Sequence, residues 1–167
     1  MNAVRSFAKK YPLLVNMGVC GAMYGGGDIS QQVIRRTPTL DLRNSSNIGV
    51  VGVAFYGPFY TYWYKLLDRF IIGQGKKVIF KKLVFDQLVG APVCIAVFYI
   101  SLSLLERRED ILQMAKEKSV QSYAAGACFW PAVQAINFAV LSTRLRTVYV
   151  SCAAFVWTNI LCYIKSI

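Results

Sequence analysis

Histidine is absent from all 167 residues. That absence removes the side chain that most often serves as general base, activates a Ser or Cys nucleophile, or holds a hydrolytic zinc ion. No Gly-Lys-Ser or Gly-Lys-Thr phosphate loop occurs, and Gly25-Gly26-Gly27 lacks the strand-to-helix setting of a dinucleotide site. Cys20, Cys94, Cys128, Cys152 and Cys162 lie inside apolar stretches without metal-ligand spacing, so they read as small packing residues. The expectation is a chain that is not an enzyme, with no cofactor and no metal. Charge is scarce too. Asp, Glu, Lys and Arg together make up 16% of the chain, well below the share in an average soluble domain, while hydrophobic residues reach 56%.

What charge there is comes in clusters. Asp28 is the only charge between Lys10 and Arg35, and Asp86 the only one between Lys82 and Glu106. No charge interrupts the 21 residues after Arg43, the 25 after Lys118 or the 18 after Arg146. A helix needs about 20 apolar residues to cross the hydrocarbon core. Five such gaps would leave a soluble bundle with no polar face for water. The sequence therefore predicts an all-α integral membrane helical bundle with four to five transmembrane helices, forming a single domain over 1–167. The predicted helices are Leu13–Ile34, Ile48–Leu67, Leu83–Leu105, Val120–Leu141 and Thr147–Ile164, the last of which either crosses or lies at the interface. Thr37-Pro38 and Asp41–Ser46 read as a turn-rich loop, and Gly73-Gln74-Gly75 as a chain break. The mixed-charge run Glu106–Lys118 reads either as an interfacial helix or as an ordinary solvated turn.

The nineteen Lys and Arg residues flank apolar helices and form no groove-binding patch, which argues against nucleic acid as a partner. With five crossings, eleven of them fall on the side of the N-terminus and eight on the other. Lys76, Lys77, Lys81 and Lys82 crowd one connector, which the positive-inside rule places in the cytosol or the mitochondrial matrix. No cleavable signal follows Arg5, Lys9 and Lys10, and the final Lys-Ser-Ile is not the peroxisomal Ser-Lys-Leu address.

Polar groups inside the apolar segments are the candidate functional residues. Asp28 shares a helix face with Gln31 and Gln32. Asp86 and Gln87 enter the third segment, and Asp86 begins a stripe continued by Gly90, Val93 and Val97. Trp130, Gln134 and Asn137 share a face of the fourth. Intramembrane carboxylates are costly, so such residues face a bundle interior, a partner or water. They read either as a conducting pathway or as structural pairs, Asp28 with Arg35 and Asp86 with Lys82. Gly18-Ala22-Gly26, Gly21-Gly25 and Ala124-Cys128-Ala132 form small-residue faces of the kind that bring helices together in lipid. The expected partners are the lipid bilayer, small solutes or ions as permeants, and room is left for a homo-oligomer.

Gly57–Gly73 (GPFYTYWYKLLDRFIIG), Gly25–Gln32 (GGGDISQQ), Asp86–Pro92 (DQLVGAP) and Trp130–Phe138 (WPAVQAINF) resemble the signatures of one eukaryotic membrane family. It comprises the Mpv-seventeen protein and the twenty-two-kilodalton peroxisomal membrane protein. Lys10-Tyr11-Pro12, Arg146 and Trp157 also fall where that family has equivalents. Thr61 stands where many members carry His, and Leu141-Ser142 replaces the usual Val-Pro; the Trp63–Phe70 run looks most like the Mpv-seventeen branch. The resemblance implies a multi-pass protein of the mitochondrial inner membrane, with the peroxisomal membrane as the alternative. It also implies a non-selective channel that modulates membrane potential and supports mitochondrial homeostasis and mitochondrial DNA maintenance. The rival readings are a non-conducting membrane scaffold and a small-metabolite transporter.

Overall fold

Pro12 opens the first long helix, where its missing N–H would have had no intrahelical partner anyway. The structure, a computed structural model, describes residues 10–73 and 75–166. Arg5, Lys9, Gln74 and the terminal Ile167, all invoked above, lie outside the described residues. Five helical rods follow one another: α1 (Pro12–Ile34), α2 (residues 42–70), α3 (Lys76–Leu105), α4 (Gln113–Val140) and α5 (Thr143–Ser166). Among the described residues no strand occurs. Two stretches, Lys76–Leu105 and Leu145–Ser166, are long and apolar enough by length and composition to cross a membrane.

The rods begin earlier than the hydropathy pattern suggests. Residues Leu42–Ser46 are not a loop but the first turns of α2, because the Asp41 side chain caps the helix by accepting from the Asn44 N–H at 2.9 Å. The lysines Lys76–Lys82 are likewise helical, as the first turns of α3. Residues 106–112 form a short turn and α4 starts directly after it, so Glu106–Lys118 is not a separate interfacial helix. The predicted break around Gly73–Gly75 is real: Gly73 and Gly75 take φ of +116° and +101°, which L side chains rarely adopt. The α4–α5 connection is only Leu141-Ser142, with Leu141 in extended conformation.

Two rods carry an extra residue. A π-turn spans Gly52–Tyr56 in α2 and another spans Asp86–Gly90 in α3, closed by the Gly57 N–H to Gly52 O and the Ala91 N–H to Asp86 O. Pro58 and Pro92 sit just beyond them. A proline has no N–H to give the carbonyl four residues earlier, and its ring crowds that carbonyl, so the helix widens before it.

α1 packs against α2 and α5, and α3 against α4. The α1–α2 crossing is made by one of the two expected α1 faces. A Cβ on Gly21 would meet Gly49 O at 3.3 Å, and one on Gly52 would meet Cys20 O at 2.8 Å. Of the Gly18-Ala22-Gly26 row, Gly18 and Ala22 point outward while Gly26 is half-buried, where a Cβ would meet the Phe155 ring of α5 at 3.6 Å. Ala124, Cys128 and Ala132 are exposed. The interior is aromatic, with Tyr24, Tyr56, Tyr64, Phe98 and Tyr99 fully buried. The exterior is apolar: Ile34, Phe70, Ile72, Phe80, Val120 and Val140 are each more than 60% exposed. The usual arrangement is inverted, since Asp28, Asp86, Gln31, Gln134 and Asn137 are all buried.

Candidate functional site

Three polar knots hold the rods, one at each end and one inside. At the first end, the α1 residue Asp28 accepts from Gln32 Nε2 at 2.7 Å, Ser45 Oγ at 2.6 Å and Asn44 Nδ2 at 3.0 Å. Gln32 Oε1 accepts the Asp41 N–H at 2.7 Å, and Lys165 from α5 reaches both Asn44 Oδ1 and Glu106. Asp28 therefore pairs with the start of α2 and not with Arg35. Gln31, expected beside it, is buried but its Nε2 has no hydrogen-bond partner among the described residues.

The opposite end is organised by Asp68, which the sequence reading assigned no role. Its carboxylate accepts from Lys82 Nζ, Thr143 Oγ1 and Arg146 Nη1, joining α2, α3 and α5. Arg146 also lies 5.3 Å from the Phe138 ring centre, a cation–π distance. Asp68 stands past the apolar segment that ends at Leu67. Burial works against its charge, but the Lys82, Thr143 and Arg146 hydrogen bonds outweigh that and bring the carboxyl down to about 2. The expected Asp86–Lys82 pair is not formed, because Lys82 belongs to Asp68.

Between the ends lies Asp86. Trp63 Nε1 donates to its Oδ1 at 2.8 Å and Gln134 Nε2 donates to its Oδ2 at 2.9 Å. Gln134 Nε2 also approaches Tyr64 OH at 3.1 Å, and Asn137 Nδ2 donates to Gln134 Oε1 at 2.7 Å. So Asp86, Gln134 and Asn137 converge from two helices. Gln87 does not join them: its side-chain Nε2 has no hydrogen-bond partner among the described residues, and its backbone carbonyl accepts from Tyr123 OH at 3.2 Å. Trp130 contributes through shape, packing edge-on to Trp157 with centroids 5.8 Å apart.

Asp86 opens on an interior cavity of about 30 Å³ that Tyr24, Tyr56, Tyr60, Trp130 and Trp157 help to line. Gly90 lines it as well, but Val93 is exposed, so the predicted Asp86–Gly90–Val93–Val97 stripe breaks after Gly90. The π-turn explains the break: one added residue rotates the following helix, and the inward face continues through Ala91, Cys94 and Ile95. The aromatic wall was missed by the sequence reading, although Tyr56, Tyr60, Trp63 and Tyr64 recur at helical spacing and signal one face. Thr61 is buried, accepting from Asn16 Nδ2 at 2.9 Å and donating to Gly57 O at 2.8 Å, and so ties α1 to α2. No group of three or more Cys, Asp or Glu side chains arranged to hold a metal occurs among the described residues.

Residues 103–162, which carry Trp130, Gln134, Asn137 and Arg146, match the Mpv17 / PMP22 family. Across nearly its whole length the chain is 34% identical to the Mpv17-like protein of Xenopus laevis, covering 99% of this chain and 83% of that protein. The chain belongs to the Mpv17 / PMP22 family. It is also 31% identical to human mitochondrial inner membrane protein Mpv17, over 90% of this chain and 89% of the relative. PXMP2/4 family protein 2 of Dictyostelium discoideum is 30% identical, over 93% and 85% of the two chains. No solved structure matches. The Gly57–Gly73 run supplies Trp63, Tyr64 and Asp68 to the knots, and the Asp86–Pro92 run supplies the buried carboxylate and its π-turn.

Proposed function

We propose that this Mpv17 / PMP22 family member is a multi-pass protein of the mitochondrial inner membrane and acts there as a narrow, non-selective channel for ions or small solutes. It has no catalytic role. Its leak modulates membrane potential, and through that supports mitochondrial homeostasis and mitochondrial DNA maintenance. All five rods cross. The apolar exterior supports the crossing, as does the alternation of the end knots, which gather the ends of α1, α3 and α5 with the start of α2 on one side. Relatives named as mitochondrial inner membrane proteins support the organelle.

One observation carries the channel reading. Asp86 is buried on an interior cavity and is held only by neutral donors, with no lysine or arginine in ion-pair contact among the described residues. A carboxylate so placed attracts cations at close range, as acidic rings do in cation channels. At about 30 Å³ the cavity is narrow, and on the channel reading it corresponds to a closed state. The same narrowness favours a second reading, a non-conducting scaffold in which the buried polar groups only satisfy one another.

Purified protein in planar bilayers decides between them. The wild-type chain is expected to conduct, and Asp86→Asn to change unit conductance or cation preference severalfold in protein that still folds. Absence of conductance from well-folded wild-type protein leaves the scaffold. Orientation is a separate matter: the exposed Lys77 should face the matrix. In a cysteine-free background, Lys77→Cys should resist an impermeant maleimide in intact mitoplasts and react once they are permeabilised. Labelling of intact mitoplasts reverses the orientation.

A further inference from the structure

A buried carboxylate held by neutral groups is an incomplete electrostatic arrangement. Taking such a charge out of water is costly unless a counter-charge and hydrogen bonds compensate. The Asp86 oxygens both accept from N–H donors, Trp63 on one side and Gln134 on the other, and the Gln134 amide is oriented by Asn137. Among the described residues the hydrogen bonds are present and the counter-charge is not. Asp68, by contrast, has two cations, Lys82 and Arg146. Asp28, like Asp86, accepts only from neutral donors among the described residues, but Lys165 stands one hydrogen-bonded side chain away, on the Asn44 amide that donates to Asp28.

The space beside Asp86 has the chemistry of a cation site. Six aromatic side chains, those of Tyr24, Tyr56, Phe59, Tyr60, Trp130 and Trp157, share its wall with the carboxylate, and no lysine or arginine lines it among the described residues. Aromatic faces attract cations through the ring quadrupole, most effectively where water is excluded. The volume, about 30 Å³, exceeds the roughly 10–15 Å³ needed for one water-sized occupant. Gly90 keeps the approach open. A Cβ there would lie 3.1 Å from Asp86 Oδ1 and 3.2 Å from two ring atoms of Trp63.

We propose that the Asp86 cavity is a binding site for one weakly hydrated monovalent cation of ammonium or potassium size, held between the carboxylate and the aromatic wall. Such ions give up their water more readily than sodium does, and cation–π contact offers little to an ion that keeps its hydration shell. The proposal deepens the channel reading by naming the class of ion that would pause at the constriction. It stands or falls independently of conduction.

The chain contains three tryptophans, and all of them report on this site: Trp130 and Trp157 line the cavity, and Trp63 donates to Asp86. Tryptophan fluorescence of the full-length protein in detergent should be titrated with ammonium, potassium, sodium and N-methylglucammonium chlorides at fixed ionic strength and pH. A saturable change is expected with ammonium and potassium, at least tenfold weaker with sodium and absent with N-methylglucammonium. Gly90→Ala, which leaves the charge in place, should weaken ammonium binding at least tenfold, and Asp86→Asn should abolish the response. The proposal is overturned if wild-type fluorescence does not saturate with ammonium or potassium, if all four salts act alike, or if folded Asp86→Asn responds as the wild type does. An ammonium response exceeding the potassium response by more than tenfold assigns the site to ammonium, and comparable responses assign it to either ion by size. Saturable binding in protein that never conducts sinks the channel and keeps the site; conduction without saturable binding does the reverse.

Discussion

Asp68→Ala should destabilise the folded protein by about 3 kcal/mol, the lower end of what breaking a buried ion pair costs. The reason lies in what the substitution leaves behind. Lys82 and Arg146 both donate to Oδ1 of this one carboxylate, and their side chains are only 9% and 8% exposed. Without Asp68, two buried cations face each other with no anion between them, and Thr143 loses its acceptor. Asp68 itself is 27% exposed, so water partly relieves the loss, which is why the lower end applies. Melting of the purified variant in detergent, alongside its steady-state abundance in mitochondria, reads the effect. Lys82→Gln should cost less, since Arg146 and Thr143 still hold the carboxylate. An Asp68→Ala melting temperature equal to wild type would remove this knot from the stability of the fold.

The same residue fixes the direction of an acid response. The folded carboxyl titrates at about 2, against an ordinary 3.8. A depressed carboxyl contributes stability that is fully present above the unfolded value and lost as pH falls through the folded one. The Asp68 contribution therefore disappears between roughly pH 4 and pH 2, and the difference between wild type and Asp68→Ala should shrink over that window.

Gly57→Ala should be the most damaging single-methyl change in the α1–α2 crossing. Its Cβ would stand 2.6 Å from Met17 Cα and 3.0 Å from Met17 N, backbone atoms of a packed helix that cannot swing aside. Overpacking of this kind costs about 1–3 kcal/mol, and the rigid neighbour puts Gly57 at the upper end. Gly18→Ala provides the contrast. Nothing lies within 4 Å of a Cβ there, so the change should be neutral or gain up to about 1 kcal/mol of helix propensity. Equal melting temperatures for the two variants would show that α1 and α2 do not cross where the glycines place them.

Hydropathy and charge gaps located all five rods, because an apolar run longer than a few turns admits few alternatives. The rod starts were harder to read. Asp41 could equally have begun a turn, and only its hydrogen bond to the Asn44 N–H makes it a cap. The site was legible in part for a similar reason. Asp86, Gln134 and Asn137 announce themselves as polar residues in apolar surroundings. Asp68 hides among Lys65 and Arg69 in what looks like an ordinary charged helix end, and its partners arrive from residues 14 to 78 positions away. Lys82 lies nearer Asp86 than Asp68 in sequence, so local spacing suggested the wrong pair. The π-turn erased the rest of the predicted stripe, since a period of 3.6 residues carries no mark of where a helix has taken in one more.

The two-residue link between α4 and α5 constrains the order in which the protein can be built. Leu141-Ser142 is too short to let one helix enter a bilayer while the other waits in water. α4 brings Gln134 and Asn137, whose partners Asp86 and Tyr64 belong to α3 and α2. Inserted alone, it would carry those amides into hydrocarbon unpaired. On the five-crossing reading proposed above, biogenesis is directional: the first three rods form a template, and the final pair enters together as a hairpin whose polar groups dock onto it. A ribosome stalled after α4 would hold an incompletely assembled protein, whatever the hydropathy of the segments already made.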